Sequence, residues 1–365
     1  MVSTLDTPNK SAAPAANKPP VKSSRPQPET AAPPKPMPAS PTPSPLTPLS
    51  FEQPLVAIQQ QIDALEAQYA ATATSNPEFE EHIALLRQQA DDVRTKLYAS
   101  LTPGQRLQIA RHPQRLNFLE LVKFLSPTTW FELHGDRAGM DDRAMIGGII
   151  ELDGRPMMMV GTQKGRGMKE NLVHNFGMAN PEGYRKAMRL FSHAEKFHMP
   201  ILTIIDTPGA YPGIAGEEKG IGQAIAWNIR EMARLKTPVI SLVLGEASSG
   251  GALGIGVANR ILMLEHALYT VISPEGCASI LWRSAEYATQ AAEALKITAP
   301  DLLGFGMIDE VIPEPLGGAH QNNALTAQRI HDSVLRHLNQ LTSLDGTALV
   351  ADRYSKYRAI TAFTG

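Results

Sequence analysis

Five glycines lie in the thirteen-residue stretch 245–257, GEASSGGALGIGV, which directly follows the apolar run PVISLVL. A Walker phosphate loop carries Lys-Ser or Lys-Thr after its last glycine, and this stretch has neither. Gly251, Gly254 and Gly256 reverse the spacing of the dinucleotide fingerprint G-x-G-x-x-G. A nucleophile elbow requires a glycine two residues before its serine, and neither serine of the stretch has one. The residues therefore exclude the three familiar glycine motifs.

A helix that begins near Gly250 offers a fourth interpretation. The first amides of a helix have no partner within it, and the helix dipole adds partial positive charge at the same end. Because Gly250 and Gly251 have no Cβ, a carbonyl oxygen can approach these amides closely. Such an oxyanion site stabilises developing negative charge by about 2.7–4 kcal/mol per donor. The alternative is that the glycines only allow close packing of a helix on a strand, and the glycines alone leave both open.

A second glycine-bearing loop, TPGAYPG at 207–213, follows the apolar strand PILTIID. Ligands in open α/β folds collect beyond the carboxyl ends of such strands, so two loops after consecutive strands predict one pocket. Asp206, at the end of the strand, is either a general base or a residue that caps the loop. The candidate residues of such a pocket are Gly250 and Gly251, as catalytic residues if the oxyanion interpretation holds, and Thr207, Pro208, Gly209, Ala210, Tyr211 and Ser249, as substrate-binding residues.

The elements around these loops alternate between strand and helix. AMIGGIIELDGRPMMMVGTQ reads as two strands joined at Asp153-Gly154, a dipeptide favoured in hairpin turns. PEGYRKAMRLFSHAEKF and GEEKGIGQAIAWNIREMARLK read as helices, TPVISLVL as a buried strand and SPEGCASILW as the start of a helix. This alternation predicts an α/β domain with much parallel pairing.

Composition divides the chain into four regions. Residues 1–50 are rich in Pro and Ala and are expected to be a disordered tail. Residues 51–126 form a helical region, in which apolar stripes at helical spacing predict a hairpin of two helices, the second beginning at Pro77. The α/β domain is expected over 127–320, and 321–365 are expected to form helices at the periphery.

Charge and cysteine content limit the class of protein. The formal net charge of −2 gives no general attraction to nucleic acid. The single cysteine, Cys277, suits a reducing compartment and excludes a cysteine-rich zinc site, and no paired His spacing predicts a metal site. No apolar run reaches the roughly 18–20 residues that span a bilayer. We therefore expect a cytoplasmic protein without a membrane span or a metal.

Several longer stretches carry a resemblance to one family. Five stretches together resemble the alpha subunit of the bacterial and plastid-type acetyl-CoA carboxylase carboxyltransferase. They are GGIIELDGRPMMMVGTQKGR, NFGMANPEGYRKAMRL, DTPGAYPG, SSGGALGIGV and VISPEGCASILWRSAE. The resemblance runs from about residue 51 to 340. It implies a crotonase-like α/β fold, a superhelix of repeated strand-strand-helix units, here preceded by the helical hairpin.

The same resemblance implies a reaction and its participants. The family transfers a carboxyl group from carboxybiotin, attached to a separate biotin carboxyl carrier protein, to acetyl-CoA, which gives malonyl-CoA for fatty-acid synthesis. It works as an alpha-two, beta-two tetramer with the active site between subunits, and ATP is used only by a separate biotin carboxylase subunit. By motif matching, Gly250 and Gly251 receive the biotin carbonyl, and no protein base is required. Ala247 and Ser248 stand where many relatives have glycine, and His174 stands where arginine is common.

Two other functions remain possible, and the role of two sets of basic residues is open. A self-sufficient hydratase or peptidase on the same fold would need a carboxylate pair or a Ser-His-Asp set, whereas a scaffold would use the glycines only for packing. The basic run 164–169, KGRGMK, either meets coenzyme A phosphates or is a solvated loop. Arg185, Lys186 and Arg189 share one helix face and offer a second place for phosphate contact.

Overall fold

The computed structural model describes residues 47–72 and 77–360. Nearly all of the Pro-rich tail predicted for 1–50 lies outside these residues. The helices of the described part are α1 Gln53–Thr72, α2 Pro77–Ala99, α3 Pro103–Ala110, α4 Phe118–Leu125, α5 Gly167–Val173, α6 Pro181–Lys196, α7 Ile214–Glu218, α8 Ile221–Met232, α9 Ser249–Gly256, α10 Pro274–Trp282, α11 Ala288–Leu295, α12 Ala299–Gly304, α13 Asn323–Leu341 and α14 Gly346–Ala359.

The two N-terminal helices confirm the predicted hairpin. Ile62 of α1 packs with Ile83 and Leu86 of α2, flanked by Ile58 and Leu65, so the two apolar stripes cover each other. Burial of one stripe against another is what stabilises amphipathic helices of this length. α2 begins at Pro77, as predicted from the preference of proline for the first turn.

A mixed sheet forms the centre of the α/β region. β1, β2 and β3 pair in antiparallel fashion, and the strands that follow β3 pair in parallel. The predicted turn at Asp153-Gly154 is confirmed, because both residues have positive φ, 49° and 77°, as the tight hairpin requires. The strands are β1 Phe131–Glu132, β2 Met145–Leu152, β3 Arg155–Thr162, β4 Ile201–Thr207, β5 Val239–Ser248, β6 Arg260–Leu264, β7 Leu268–Thr270 and β8 Glu310–Ile312, in the order β1-β2-β3-β4-β5-β6-β8.

The pairing of β4 and β5 is not uniform along their length. The β4–β5 register shifts between Ile205 and Thr207. β5 pairs first with β6 and then, over Glu246–Ser248, with β7. Two strands therefore precede a helix at β2-β3 and at β6-β7, whereas a single strand, β4 or β5, precedes the helix in each of the two central units. The predicted α/β fold of repeated strand and helix units is confirmed with this modification.

Two predicted elements have different bounds in the structure. The helix expected over 216–236 begins at Ile221, because Gly220 has a left-handed φ of 80° that separates α7 from α8. The expected loop after TPVISLVL is instead strand, since β5 continues to Ser248 and α9 starts at the next residue. The chain thus turns from strand to helix without a connecting loop.

The C-terminal helices are present, but the expectation that they are peripheral is wrong. Ile330, Val334 and Leu338 of α13 belong to the same apolar cluster as the central strands. Arg353 of α14 is 1% exposed and donates to the carbonyls of Met232, Leu235 and Thr237. This segment therefore helps to hold α8 against the sheet. The domain boundaries at 126/127 and 320/321 stay a prediction.

Candidate active site

The first turn of α9 lies at the carboxyl end of β5. Ser249, its first residue, has a left-handed φ of 55°, which allows the strand to turn abruptly into the helix. Gly250 and Gly251 follow, and their amides belong to the orphan donors of the first turn. Within the described residues, neither amide donates to an acceptor outside the helix. The turn therefore presents main-chain amides that can donate hydrogen bonds to a ligand oxygen.

Gly251 is buried against the second predicted loop. A Cβ built at Gly251 would lie 2.8 Å from Gly209 Cα and closer still to the Ala210 amide nitrogen. Only glycine allows the helix to approach the backbone of the loop this closely. The packing interpretation is thus correct for this surface of Gly251. It does not exclude the oxyanion interpretation, because among the described residues the Gly251 amide donates to no acceptor outside the helix.

Gly250 has a different environment. A Cβ there would lie 3.5 Å from Ile225 Cδ1, an ordinary van der Waals distance. Further along α9, a Cβ at Gly254 would lie 2.6 Å from the ring of Tyr184, whose hydroxyl donates to the Gly251 carbonyl at 3.1 Å. The glycines of α9 therefore have separate tasks, since two of them allow close packing and Gly250 is not needed for packing.

The loop that faces Gly251 has its own internal bonds. The Thr207 hydroxyl donates to the Gly209 carbonyl at 2.7 Å and accepts from the Gly209 amide at 3.1 Å. The Tyr211 amide donates to the Ala179 carbonyl at 3.0 Å, which fastens the loop to the chain before α6. Thr207 is fully buried, so its side chain supports the loop.

The structure brings most of the predicted site residues together. Gly209 and Ala210 contact Gly251, and Pro208 lines a cavity of about 340 Å³ with Asp206 and Glu246. Ser249 is exposed at the start of α9, next to the buried Ser248, whose hydroxyl finds no hydrogen-bond partner within the described part of the chain. What each of these residues does toward a substrate stays a prediction.

A charged cluster at the carboxyl ends of β3, β4 and β5 was not predicted. Lys164 Nζ donates to Asp206 Oδ1 at 2.8 Å and to Glu246 Oε1 at 2.7 Å. Arg111 Nε donates to the other oxygen of Glu246 at 2.8 Å, and its NH1 donates to Glu275 at 2.6 Å. The sequence signal was available, because Lys164, Asp206 and Glu246 all lie near the carboxyl ends of neighbouring parallel strands.

Burial and charge oppose each other in this cluster. Burial alone would lower the pKa of Lys164, but the charges of Asp206 and Glu246 outweigh it, and the pKa is raised. Burial alone would raise the pKa of Glu246, but Lys164 and Arg111 outweigh it, and the pKa is lowered. Both groups are therefore charged near neutral pH. The Asp206 carboxylate is engaged by Lys164 and by the Glu246 amide, which favours its loop-supporting role over that of a general base.

The cations considered for phosphate contact are largely occupied by protein groups. Arg166 pairs with Glu120 at 2.5 Å, and Arg185 pairs with Asp136 at 3.0 Å. Lys186 is 1% exposed and pairs with Asp141 at 2.6 Å, and Arg189 donates to the carbonyls of Gly135 and His134. The basic run is therefore not a solvated loop at Lys164, whose half-buried side chain is held in the charged cluster. Among the described residues, no trio of His, Cys, Asp or Glu side chains is arranged to hold a metal ion. In the same residues, no helix combines the length and the apolar composition that crossing a membrane requires.

Comparison with protein families and relatives gives one consistent result. Residues 48–361 match the family described as acetyl co-enzyme A carboxylase carboxyltransferase-like. The chain is 51% identical over 313 residues to the acetyl-coenzyme A carboxylase carboxyl transferase subunit alpha of Synechococcus elongatus. The aligned region covers 86% of this chain and 94% of the relative. It is 49% identical over 314 residues to the protein of the same description in Thermosynechococcus vestitus. This alignment covers 86% of this chain and 96% of that relative.

Solved structures support the fold. The chain is similar to a Pseudomonas malonate decarboxylase hetero-tetramer in complex with coenzyme A, with a TM-score of 0.51, 19% identity, and coverage of 64% of this chain and 90% of that one. It is also similar to the beta subunit of P. aeruginosa geranyl-CoA carboxylase, with a TM-score of 0.50, 15% identity, and coverage of 67% and 46%. At these identities the likeness concerns the fold alone, and it confirms the crotonase-like class.

Proposed function

Since the chain belongs to the acetyl co-enzyme A carboxylase carboxyltransferase-like family, we propose that the first turn of α9 receives the carboxyl donor of the transfer reaction. The chain is an alpha-type subunit of a multi-subunit carboxyltransferase. The donor we propose is carboxybiotin on a separate carrier protein, the acceptor is acetyl-CoA and the product is malonyl-CoA. When bound, carboxybiotin supplies an activated carboxyl group, and loss of this group leaves negative charge on the ureido oxygen.

The residues at α9 fit a ureido carbonyl. The amides of Gly250 and Gly251 have no acceptor outside the helix among the described residues, and the helix end adds partial positive charge. Each aligned donor is expected to stabilise the developing charge by about 2.7–4 kcal/mol. The observation that carries the proposal is this pair of available amides next to the loop 207–213.

The loop has a positioning role in this proposal. Its backbone at Gly209 and Ala210 contacts Gly251 so closely that the first turn of α9 has little freedom to move toward it. Thr207 holds the loop through two hydrogen bonds to Gly209. Pro208, Tyr211 and Ser249 are proposed to line the approach to the amides. No general base is assigned, because Asp206 is bound to Lys164 and to the Glu246 amide.

Other chains complete the reaction. We propose an alpha-two, beta-two tetramer whose beta subunit binds the acetyl-CoA thioester. A biotin carboxyl carrier protein delivers the donor, and a separate biotin carboxylase subunit consumes ATP. We place the complex in the cytoplasm, which suits a chain with one cysteine.

Reconstitution with the cognate beta subunit tests the proposal. The assembled complex is expected to transfer carboxyl groups between malonyl-CoA and a soluble biotin derivative, and the chain alone is expected to be inactive. Enoyl-CoA hydration or peptide cleavage by the chain alone would instead support the self-sufficient hydratase or peptidase. An assembled complex without carboxyl transfer would support the scaffold and contradict the proposal.

A further inference from the structure

We propose that Lys164 is a positioning residue for carboxyl transfer, which fixes the ends of β4 and β5 so that the loop 207–213 and the first turn of α9 keep their relative placement. It touches no substrate and acts through Asp206 and Glu246. The inference rests on the proposed function of the α9 amides, because it concerns how those amides are placed.

Lys164 lies at the point where the two strands must be held together. Its ammonium group bonds to Asp206 at 2.8 Å and to Glu246 at 2.7 Å. Asp206 Oδ1 also accepts from the Glu246 amide at 3.0 Å, so the same carboxylate ties the two strands directly. A Cβ at Gly245 would lie only 2.5 Å from Asp206 Oδ1, and therefore the carboxylate packs tightly on β5.

The cluster is directly connected to the loop 207–213 and to the start of α9. Asp206 immediately precedes Thr207, and Glu246 is two residues before Ser248, where α9 is about to begin. The β4–β5 register is also interrupted here, between Ile205 and Thr207, although the two strands pair again at Thr207 and Ala247. The charged cluster therefore adds side-chain ties between the two strands at the place where their register is interrupted.

Other charged groups around the cluster are already paired. Arg111 binds both Glu246 and Glu275, and the latter lies in the first turn of α10. The cavity in front of the cluster is also lined by Arg115, which pairs with Glu314, by Arg166, which pairs with Glu120, and by His112, whose Nε2 contacts the Thr47 carbonyl. Lys164 is thus the cation that the Asp206 and Glu246 carboxylates share.

Removal of this cation has a specific electrostatic consequence. The bonded oxygens of Asp206 and Glu246 are at most about 5.5 Å apart, because they lie 2.8 and 2.7 Å from the same nitrogen. Without the ammonium group, two buried carboxylates at this separation repel each other. At lower pH one carboxyl group takes up a proton and can donate to the other, which restores part of the contact. The effect of losing Lys164 should therefore grow as the pH rises.

Three variants of the assembled complex test the inference, with turnover measured from about pH 6 to about pH 9. Lys164→Met is expected to lower kcat about tenfold to a hundredfold near pH 8, since displacement of a site group by about 1 Å costs on the order of a hundredfold. KM for malonyl-CoA should change little. The loss should be smaller near pH 6. Lys164→Arg, which keeps the charge, should retain more activity than Lys164→Met throughout.

The double variant Lys164→Met/Glu246→Gln is the decisive control. It removes one positive and one negative charge together, so it should recover activity relative to Lys164→Met and lose the added pH dependence. Parental kcat in Lys164→Met, or a loss that is equal at every pH and not recovered by Glu246→Gln, would overturn the inference. If Lys164→Met does not assemble, an assembled but inactive double variant overturns it. An inactive parental complex would instead contradict the proposed function.

Discussion

Replacement of Gly251 by alanine is expected to damage both folding and turnover, whereas the same replacement at the neighbouring Gly250 should be tolerated. At 251, the new methyl group would lie 2.8 Å from Gly209 Cα and closer still to the Ala210 nitrogen. Ordinary carbon contacts begin at about 3.5 Å, so the helix and the loop must separate by roughly 1 Å. At 250, the nearest atom is Ile225 Cδ1 at 3.5 Å, which needs no displacement.

These distances give different magnitudes for the two variants. Overpacking of this kind lowers the free energy of unfolding by about 1–3 kcal/mol. A shift of the α9 amides by about 1 Å is expected to lower kcat on the order of a hundredfold. Alanine at 250 keeps the amide and has a helix propensity better than glycine by up to about 1 kcal/mol, so the free energy of unfolding should not fall.

Urea unfolding of each variant and turnover of each assembled complex check the prediction. Gly251→Ala should be less stable and much slower than the parent, and Gly250→Ala should match the parental stability and lose less activity than Gly251→Ala. The reasoning is refuted if Gly251→Ala keeps parental stability and kcat, or if both substitutions are equally destabilising.

Three further predictions concern groups around the site. Arg115→Met leaves Glu314 buried without its ion-pair partner and should lower the free energy of unfolding by about 3–5 kcal/mol in urea titrations. An equally large loss in the double variant Arg115→Met/Glu314→Leu, which has no buried carboxylate at 314, would contradict this reasoning. Burial lowers the pKa of His320 to about 3, below its value of about 6.5 in the unfolded chain. As the pH falls below about 6.5, the imidazole binds a proton in the unfolded chain but not in the folded one, so the free energy of unfolding should drop by about 2 kcal/mol by pH 5. In melting experiments at several pH values, His320→Asn should remove this contribution to the pH dependence of stability. An unchanged slope would count against it. Tyr184→Phe removes the hydrogen bond to the Gly251 carbonyl and should cost about 1 kcal/mol on chemical unfolding, which a parental midpoint would disprove.

Local chemistry in the sequence predicts much of the fold. The Asp153-Gly154 turn, the start of α2 at Pro77 and the buried strand β4 all follow from short-range patterns. The break at Gly220 was missed, because a glycine within a helical pattern does not by itself end a helix, and here the left-handed φ of Gly220 does. The burial of α13 was missed since it depends on contacts with distant strands. The crotonase-like class came from the resemblance, because strand-helix alternation is common to many α/β folds.

The sequence predicted the close approach of backbone segments at the candidate site, but it did not predict the charged cluster beside them. Glycine positions indicated close approach, and Gly251 does pack against Gly209. Lys164 was considered only as part of an exposed basic run, since its partners Asp206 and Glu246 are 42 and 82 residues away. Long-range ion pairs leave no periodic signal in one sequence, although charged residues at the ends of neighbouring strands give a partial one.

A crystal structure of the assembled complex with a soluble biotin derivative would test the central claim most directly. The account predicts that the ureido oxygen lies about 2.7–3.1 Å from the amide nitrogens of Gly250 and Gly251. A ureido group bound away from the first turn of α9, or amides that donate there to a protein carbonyl, would contradict it.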